Sequence, residues 1–147
     1  MAGAAAEAAV ALVPPGQAKW RRALVARRGL FERYEAFAAS RDTRRPLAWF
    51  HAPSVGEALQ ALPVTQRLRA RSTAQLALTW FSPSAEAFSA RFDVDFRDYL
   101  PFDTTRGAAA ALDGLRPTAL VYSKLDVWPV LTHAAFPGSR PAGRAPE

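Results

Sequence analysis

Cysteine is absent from this chain of 147 residues, and histidine occurs only twice. The first absence excludes a disulfide framework and any thiolate-held metal. The second leaves His51 and His133 unable to build a zinc site without carboxylates, so no metal is expected. Missing too is an apolar run long enough to cross a bilayer. The opening stretch from Ala2 to Val13 is about a dozen residues, is interrupted by Glu7 and stops at Pro14-Pro15-Gly16, whereas a span takes roughly 20 apolar residues. No basic segment precedes that stretch, so it lacks the form of a secretory signal; a short helix lying on a membrane stays open. Lysine is scarce, 2 against 17 arginines, a bias that GC-rich coding explains as well as any function.

Half of the residues are hydrophobic, enough for one domain with a core and too few for two. The net charge of +6 is unevenly spread: residues 1–46 hold nine basic and four acidic side chains, and residues 47–147 hold ten and nine. The first third therefore carries +5 and the rest +1. A basic arm on a nearly neutral domain suits an anionic membrane surface, where each Lys or Arg contributes roughly 1 kcal/mol. The same charge would suit nucleic acid, but no recognition motif accompanies it, and no nucleic-acid partner is expected.

Three regions follow. Residues 1–45 form a basic, partly amphipathic helical arm, residues 46–136 an α/β domain, and residues 137–147, dense in Pro, Gly, Ala and Arg, a tail expected to be disordered. In the arm, Trp20, Leu24, Phe31, Tyr34 and Phe37 recur at three-, four- and seven-residue spacings. Gly29 marks a joint between two helices, and Arg21, Arg22, Arg27 and Arg28 are expected on the remaining surface. From Pro46 onward, short apolar runs alternate with helical stretches. Strands are predicted at Leu47–His51, Gln75–Phe81, Tyr99-Leu100 and Thr118–Ser123. Helices are predicted at Val55–Arg71, Pro83–Arg91, Thr104–Leu115 and near Trp128, with Ser82 and Asp103 as N-caps. That alternation implies βαβ units and a parallel sheet flanked by helices.

Binding groups in such sheets collect where the strands end. The loop His51-Ala52-Pro53-Ser54-Val55-Gly56-Glu57 places small residues at a helix N-terminus, where backbone N–H groups can meet an anion or a sugar hydroxyl. On spacing alone, Ser54 and Glu57 read as a capping box, and His51 as a satisfied strand-end residue. The loop Ser123-Lys124-Leu125-Asp126-Val127-Trp128-Pro129 sets a base, an acid and an aromatic at another strand end. Asp126 can cap the next helix while Trp128 fills the core and Lys124 is solvated, or Lys124 can hold an anionic substrate while Asp126 orients a hydroxyl.

Taken in order, these segments resemble the 3-deoxy-D-manno-octulosonic acid (Kdo) transferases. The family motif H-A-x-S-V-G-E stands here as residues His51 to Glu57, a Ser/Thr-rich turn as Thr79 to Glu86, Y-L-P-[YF]-D as Tyr99 to Asp103, and R-P plus an apolar strand as Arg116 to Val121. The resemblance covers roughly residues 47–135. It implies a Rossmann-like parallel sheet forming the N-terminal, acceptor-binding half of a GT-B glycosyltransferase. Such an enzyme moves Kdo from CMP-Kdo to lipid A precursor with inversion, in lipopolysaccharide assembly on the cytoplasmic face of the inner membrane. It implies Glu57 as catalytic base and Ser54, Val55, Gly56, Ser82, Ser84, Lys124 and Asp126 as acceptor-binding residues. No cofactor is implied; CMP-Kdo would be held mainly by a C-terminal domain absent from this chain, or by a separately encoded donor domain acting as partner. The chain alone is then expected to be inactive, and a non-catalytic module binding lipid A precursor or a partner is the alternative. Where the family has E-T-E-L-W-P, this chain has Lys124 to Pro129, with Lys124 reversing the charge of the first Glu and Asp126 shortening the second. That departure points to a different acceptor or a divergent subfamily.

Overall fold

A computed structural model of the chain describes residues 19–124 and 127–136. The opening apolar run, the predicted tail at 137–147 and Asp126 lie outside the described residues. The elements are α1 (Lys19–Ala26), α2 (Leu30–Ser40), β1 (Leu47–His51), α3 (Val55–Arg71), β2 (Gln75–Trp80), α4 (Pro83–Ser89), β3 (Phe96–Tyr99), α5 (Thr105–Leu115), β4 (Ala119–Tyr122) and α6 (Pro129–Ala135). All strand pairs are parallel, in the order β3-β2-β1-β4. This is the Rossmann-like α/β arrangement that the alternating pattern predicts.

Chain direction along the sheet reverses once: β1 to β3 runs one way, and α5 carries the chain back across to β4. Right-handed crossovers then put α3 and α4 on one face and α5 on the other, where α2 and α6 pack against it. Strand register sorts the side chains accordingly. Trp49, His51, Ala77, Thr79, Phe96 and Asp98 share the α2–α5 face, and Phe50, Leu78, Trp80 and Tyr99 face α3 and α4. Leu47, Trp49, Leu76 and Leu78 are all but inaccessible, as continuous apolar strands covered on both faces should be. At β4 the burial pattern breaks, and Ala119 and Val121 are exposed.

Helix boundaries follow local chemistry. Gly29 joins α1 to α2 with φ +65°, a left-handed conformation that glycine adopts without a Cβ penalty. Ser82 caps α4, and Pro83 occupies its first turn. Pro63 lies inside α3 on its exposed side; the missing N–H leaves a carbonyl one turn earlier facing water rather than core, so the helix survives its proline.

Three assignments change. The third strand runs over Phe96–Tyr99 rather than Tyr99-Leu100. The N-cap of α5 is Thr104, whose Oγ1 accepts from Gly107 N–H at 3.0 Å, rather than Asp103. The Asp103 carboxylate instead accepts from Val130 and Leu131 N–H, at 3.2 and 2.9 Å, and so caps α6. Arg27, expected on the surface, is 6% exposed. Its position explains the difference: it opens the turn between α1 and α2, where its guanidinium is hydrogen-bonded to the Leu100, Ala23 and Phe81 carbonyls.

The arm is stitched to the sheet by its own polar groups. Tyr34, fully buried, donates its hydroxyl to Tyr99 O at 3.0 Å. Arg33 pairs with Asp98 at 2.5 Å. Arg41 reaches the Leu115 and Arg116 carbonyls at the end of α5. Arg27, Arg33 and Arg41 therefore hold the arm to the domain, and of the three only Arg27 is buried.

Candidate active site

The carboxyl ends of the strands form a continuous rim because each loop hydrogen-bonds to its neighbour. Ala52 N–H donates to Thr79 O at 2.9 Å, Phe81 and Ser82 N–H both donate to Pro53 O at 3.2 and 2.8 Å, Leu100 N–H to Trp80 O at 2.7 Å, and Ser123 N–H to His51 O at 3.0 Å. Buried backbone groups need such partners; here those bonds also fix the loops relative to one another.

Glu57 sits in the first turn of α3, its side chain 17% exposed. Ser54 is the N-cap residue, yet its hydroxyl does not cap a backbone amide. It donates to Glu57 Oε2, so the reciprocal capping box that the spacing suggests is not formed. The other carboxylate oxygen, Oε1, lies 3.4 Å from Lys124 Nζ. The Ser54 hydrogen bond chiefly holds the Glu57 carboxyl below the ordinary carboxylate range, against partial desolvation, with help from its own backbone N–H and from Lys124. A helix N-terminus favours the same charge state. Glu57 is thus an ionised carboxylate at the mouth of the sheet, able to accept a proton.

Of the other residues singled out by sequence, Lys124 joins Glu57 directly and takes a left-handed conformation, φ +67°. Val55 is half-buried at the start of α3. Gly56 is exposed beside Glu57, and a Cβ placed on it would meet only Ser54 Oγ, at 3.8 Å, so the approach over Gly56 is open. Ser82 and Ser84 share a hydrogen bond at 2.9 Å on the next loop, which the Pro53 carbonyl ties to the first. The contacts therefore unite Ser54, Glu57 and Lys124, with Ser82 and Ser84 on an adjoining loop.

His51 is fully buried, with Nδ1 2.9 Å from Thr79 Oγ1. Its ring meets Trp128 edge-on at 5.4 Å. Burial drives its pKa down to about 3, so it is neutral at physiological pH and packed rather than poised as a base. Trp128 packs against the core.

Arg27 is a residue of this rim that motif spacing does not reveal. Its guanidinium lies 4.5, 4.7 and 5.0 Å from the ring centroids of Phe81, Tyr99 and Phe102. It donates to Leu100 O at 3.0 Å and Phe81 O at 3.2 Å. One side chain from the turn after α1 thereby clamps the loops after β2 and β3. Desolvation lowers its pKa to about 10, which still leaves it charged. No local signal marks it: residues 27–29 form the turn between α1 and α2, so helical spacing does not carry from Leu24 through position 27 to Phe31 and Tyr34. Gly107 completes the clamp, since a Cβ there would fall 2.2 Å from Phe102 O, closer than any side chain can stand.

With this geometry in place, comparison with known proteins is specific. A family model described as 3-deoxy-D-manno-octulosonic-acid transferase (kdotransferase) matches residues 27–141. A probable mitochondrial 3-deoxy-D-manno-octulosonic acid transferase of Arabidopsis thaliana is 32% identical over 125 residues, covering 80% of this chain and 27% of that protein. The 3-deoxy-D-manno-octulosonic acid transferase of Haemophilus influenzae is 29% identical over 114 residues, 75% of this chain and 26% of that protein. The chain thus spans about a quarter of the length of the curated relatives it matches. The matched segment begins at the arginine that clamps the rim and takes in every strand of the sheet, and on that match the chain belongs to the Kdo transferase family, as its N-terminal domain.

Proposed function

We propose that this chain is the acceptor-binding part of an inverting glycosyltransferase that moves Kdo from CMP-Kdo to a hydroxyl of lipid A precursor. The observation that carries the reading is Glu57: a carboxylate kept ionised by Ser54 at the N-terminus of α3, at the open end of the sheet. In the reaction, the acceptor oxygen attacks the anomeric carbon of Kdo and its proton passes to Glu57. The bond from that carbon to the CMP phosphate breaks on the opposite face, and CMP leaves with the electron pair. Ser54, Val55, Gly56, Ser82, Ser84 and Lys124 line the acceptor side, and Asp126, outside the described residues, is assigned to acceptor binding by the family resemblance alone. The donor is held mainly by a second domain, either in the same polypeptide or supplied by a partner, so these 147 residues do not turn over alone.

The acceptor is an amphiphile, and the outer face of α3 supports docking on a membrane surface. Leu59 and Val64 are each 54% exposed there, beside Pro63, with Arg67 and Arg71 further along the same face. Among the described residues no helix is long and apolar enough to cross a membrane; the contact proposed for this face is a peripheral one, with anionic lipid on the cytoplasmic side. A second reading, a non-catalytic module that binds lipid A precursor or a partner, draws on the Lys124 ion pair, which occupies one oxygen of the base.

The deciding experiment fuses this chain to the donor domain of a family member and measures Kdo transfer. Activity that falls by about 10²- to 10⁴-fold in Glu57→Gln, the usual size of a general-base contribution, supports the first reading. Full activity in Glu57→Gln removes Glu57 as base. Binding of lipid A precursor without transfer in the unmutated fusion favours the second.

A further inference from the structure

Lys124 stands where the family pattern has a glutamate, and nothing about that pattern explains what a cation does there. Its surroundings do. The ammonium lies 3.4 Å from Glu57 Oε1, and Lys124 is the charged neighbour that the Glu57 carboxyl feels. Oε2 already accepts from Ser54. Each oxygen of the base therefore has a partner, and a hydroxyl that is to give up its proton to Oε1 must share that oxygen with the lysine or take its place. The pair is held asymmetrically: the Glu57 side chain is 17% exposed, the Lys124 side chain 57%. Glu57 is fixed by its helix and by Ser54, whereas Lys124 ends a flexible stem rooted in the loop after β4. Its backbone, at φ +67°, is in a region that non-glycine residues seldom occupy and that recurs where side chains are aimed for function. The approach over Gly56 is open.

We propose that Lys124 determines acceptor specificity: it covers Glu57 in the unliganded protein and transfers to an anionic group of the acceptor, so a ligand carrying negative charge beside its reacting hydroxyl uncovers the base. The inference rests on Glu57 being that base. An exposed ion pair contributes little by itself, and a phosphate or carboxylate is at least as good a partner for an ammonium as Glu57. The exchange is therefore cheap for an anionic ligand. A neutral sugar must share the oxygen with the lysine or break the pair without replacing it. Phosphate monoester and carboxylate share the required chemistry.

The test uses the full chain and three soluble sugars: N-acetylglucosamine, N-acetylglucosamine 6-phosphate and glucuronate, with affinities read from NMR shift changes of the residue 54–57 amides. One or both anionic sugars should bind about tenfold tighter than the neutral one, the size of a single charge-assisted hydrogen bond. Preference for the phosphate identifies a phosphorylated acceptor, and preference for glucuronate a sugar acid. Lys124→Ala should erase the preference and Lys124→Arg keep it. Glu57→Gln, which frees Lys124 from its resident partner, should tighten anion binding a few-fold. Equal affinity for all three sugars, a preference that survives Lys124→Ala, or anion binding unmoved by Glu57→Gln overturns the proposal. A fusion enzyme that stays active as Glu57→Gln, while anion preference still follows Lys124, overturns the base and leaves the anion contact standing.

Discussion

On the β3–β2 side of the sheet, the strand ends are held by a buried arginine among three rings, by Tyr34 on the Tyr99 carbonyl and by Arg33 on Asp98. On the β4 side, a half-exposed strand ends in a loop whose charged contact with the first loop, among the described residues, is one ion pair, and 57% of that lysine side chain is in water. The two halves of the rim are made of similar residue types, arginine or lysine against carboxylate and carbonyl, but burial changes what those contacts are worth. A buried guanidinium stripped of water depends on every partner it has, so its loss is felt by the whole fold. An exposed ammonium loses little when it changes partners. The first arrangement makes a scaffold and the second makes a contact that a ligand can take over.

The contrast is broken most severely at Arg27. Arg27→Ala should cost about 3 kcal/mol in unfolding free energy, combining the lost cation–π contacts with unpaired buried carbonyls at Leu100 and Phe81. Arg27→Lys should recover less than half, because an ammonium cannot span both carbonyls and lie flat among the rings. Denaturant titration gives both numbers. A cost for Arg27→Ala below about 1 kcal/mol would show that the clamp is not structural.

A pH effect comes next, from His51. The folded ring stays neutral down to about 3, whereas an unfolded histidine takes up a proton near 6.5. The unfolded state therefore binds more protons below pH 6.5. Stability is complete above that value and falls as the pH is lowered, by at most about 1.4 kcal/mol per pH unit for one proton. Between pH 6.5 and about 4.5, before carboxylates titrate, this slope should be visible, and His51→Gln should flatten it. An unchanged slope in that variant would place the acid sensitivity elsewhere.

How far the sequence could be read divides along the same line. The parallel sheet, the helices and the loops at the carboxyl ends were legible because apolar periodicity and cap residues are local: Ser82 and Pro83 announce α4 without help from the rest of the chain. Arg27 and Asp103 were misplaced because their partners are remote. Leu100 is 73 positions from Arg27 and Leu131 is 28 from Asp103, and an arginine among apolar residues reads as surface until its carbonyls are known. The Ser54–Glu57 spacing is compatible with a capping box and with a side-chain pair, and the nearby ammonium, 67 residues away in sequence, is invisible to either reading. Replacing Asp103 by alanine tests the remote cap directly: α6 should lose about 1 kcal/mol of N-terminal support, read as faster amide exchange at Val130 and Leu131.

The smallest expected effect is on stability at the Lys124–Glu57 pair, and it is the most discriminating. Removing an exposed ammonium should change unfolding free energy by less than about 0.5 kcal/mol, so Lys124→Ala should melt with the unmutated protein. The Glu57 carboxyl should nevertheless respond. Ser54 is the largest cause of its lowered pKa and Lys124 a lesser one. Carbon-detected NMR titration should therefore show an upward shift in Lys124→Ala, and a larger one in Ser54→Ala. Because a depressed carboxylate stabilises the fold above its unfolded pKa and loses that contribution as pH falls, both variants should differ from the parent only near and above the carboxylate range. A larger shift in Lys124→Ala than in Ser54→Ala would reverse the assignment, making the lysine the anchor of the carboxylate and Ser54 its accessory, and the rim would then have no exchangeable side.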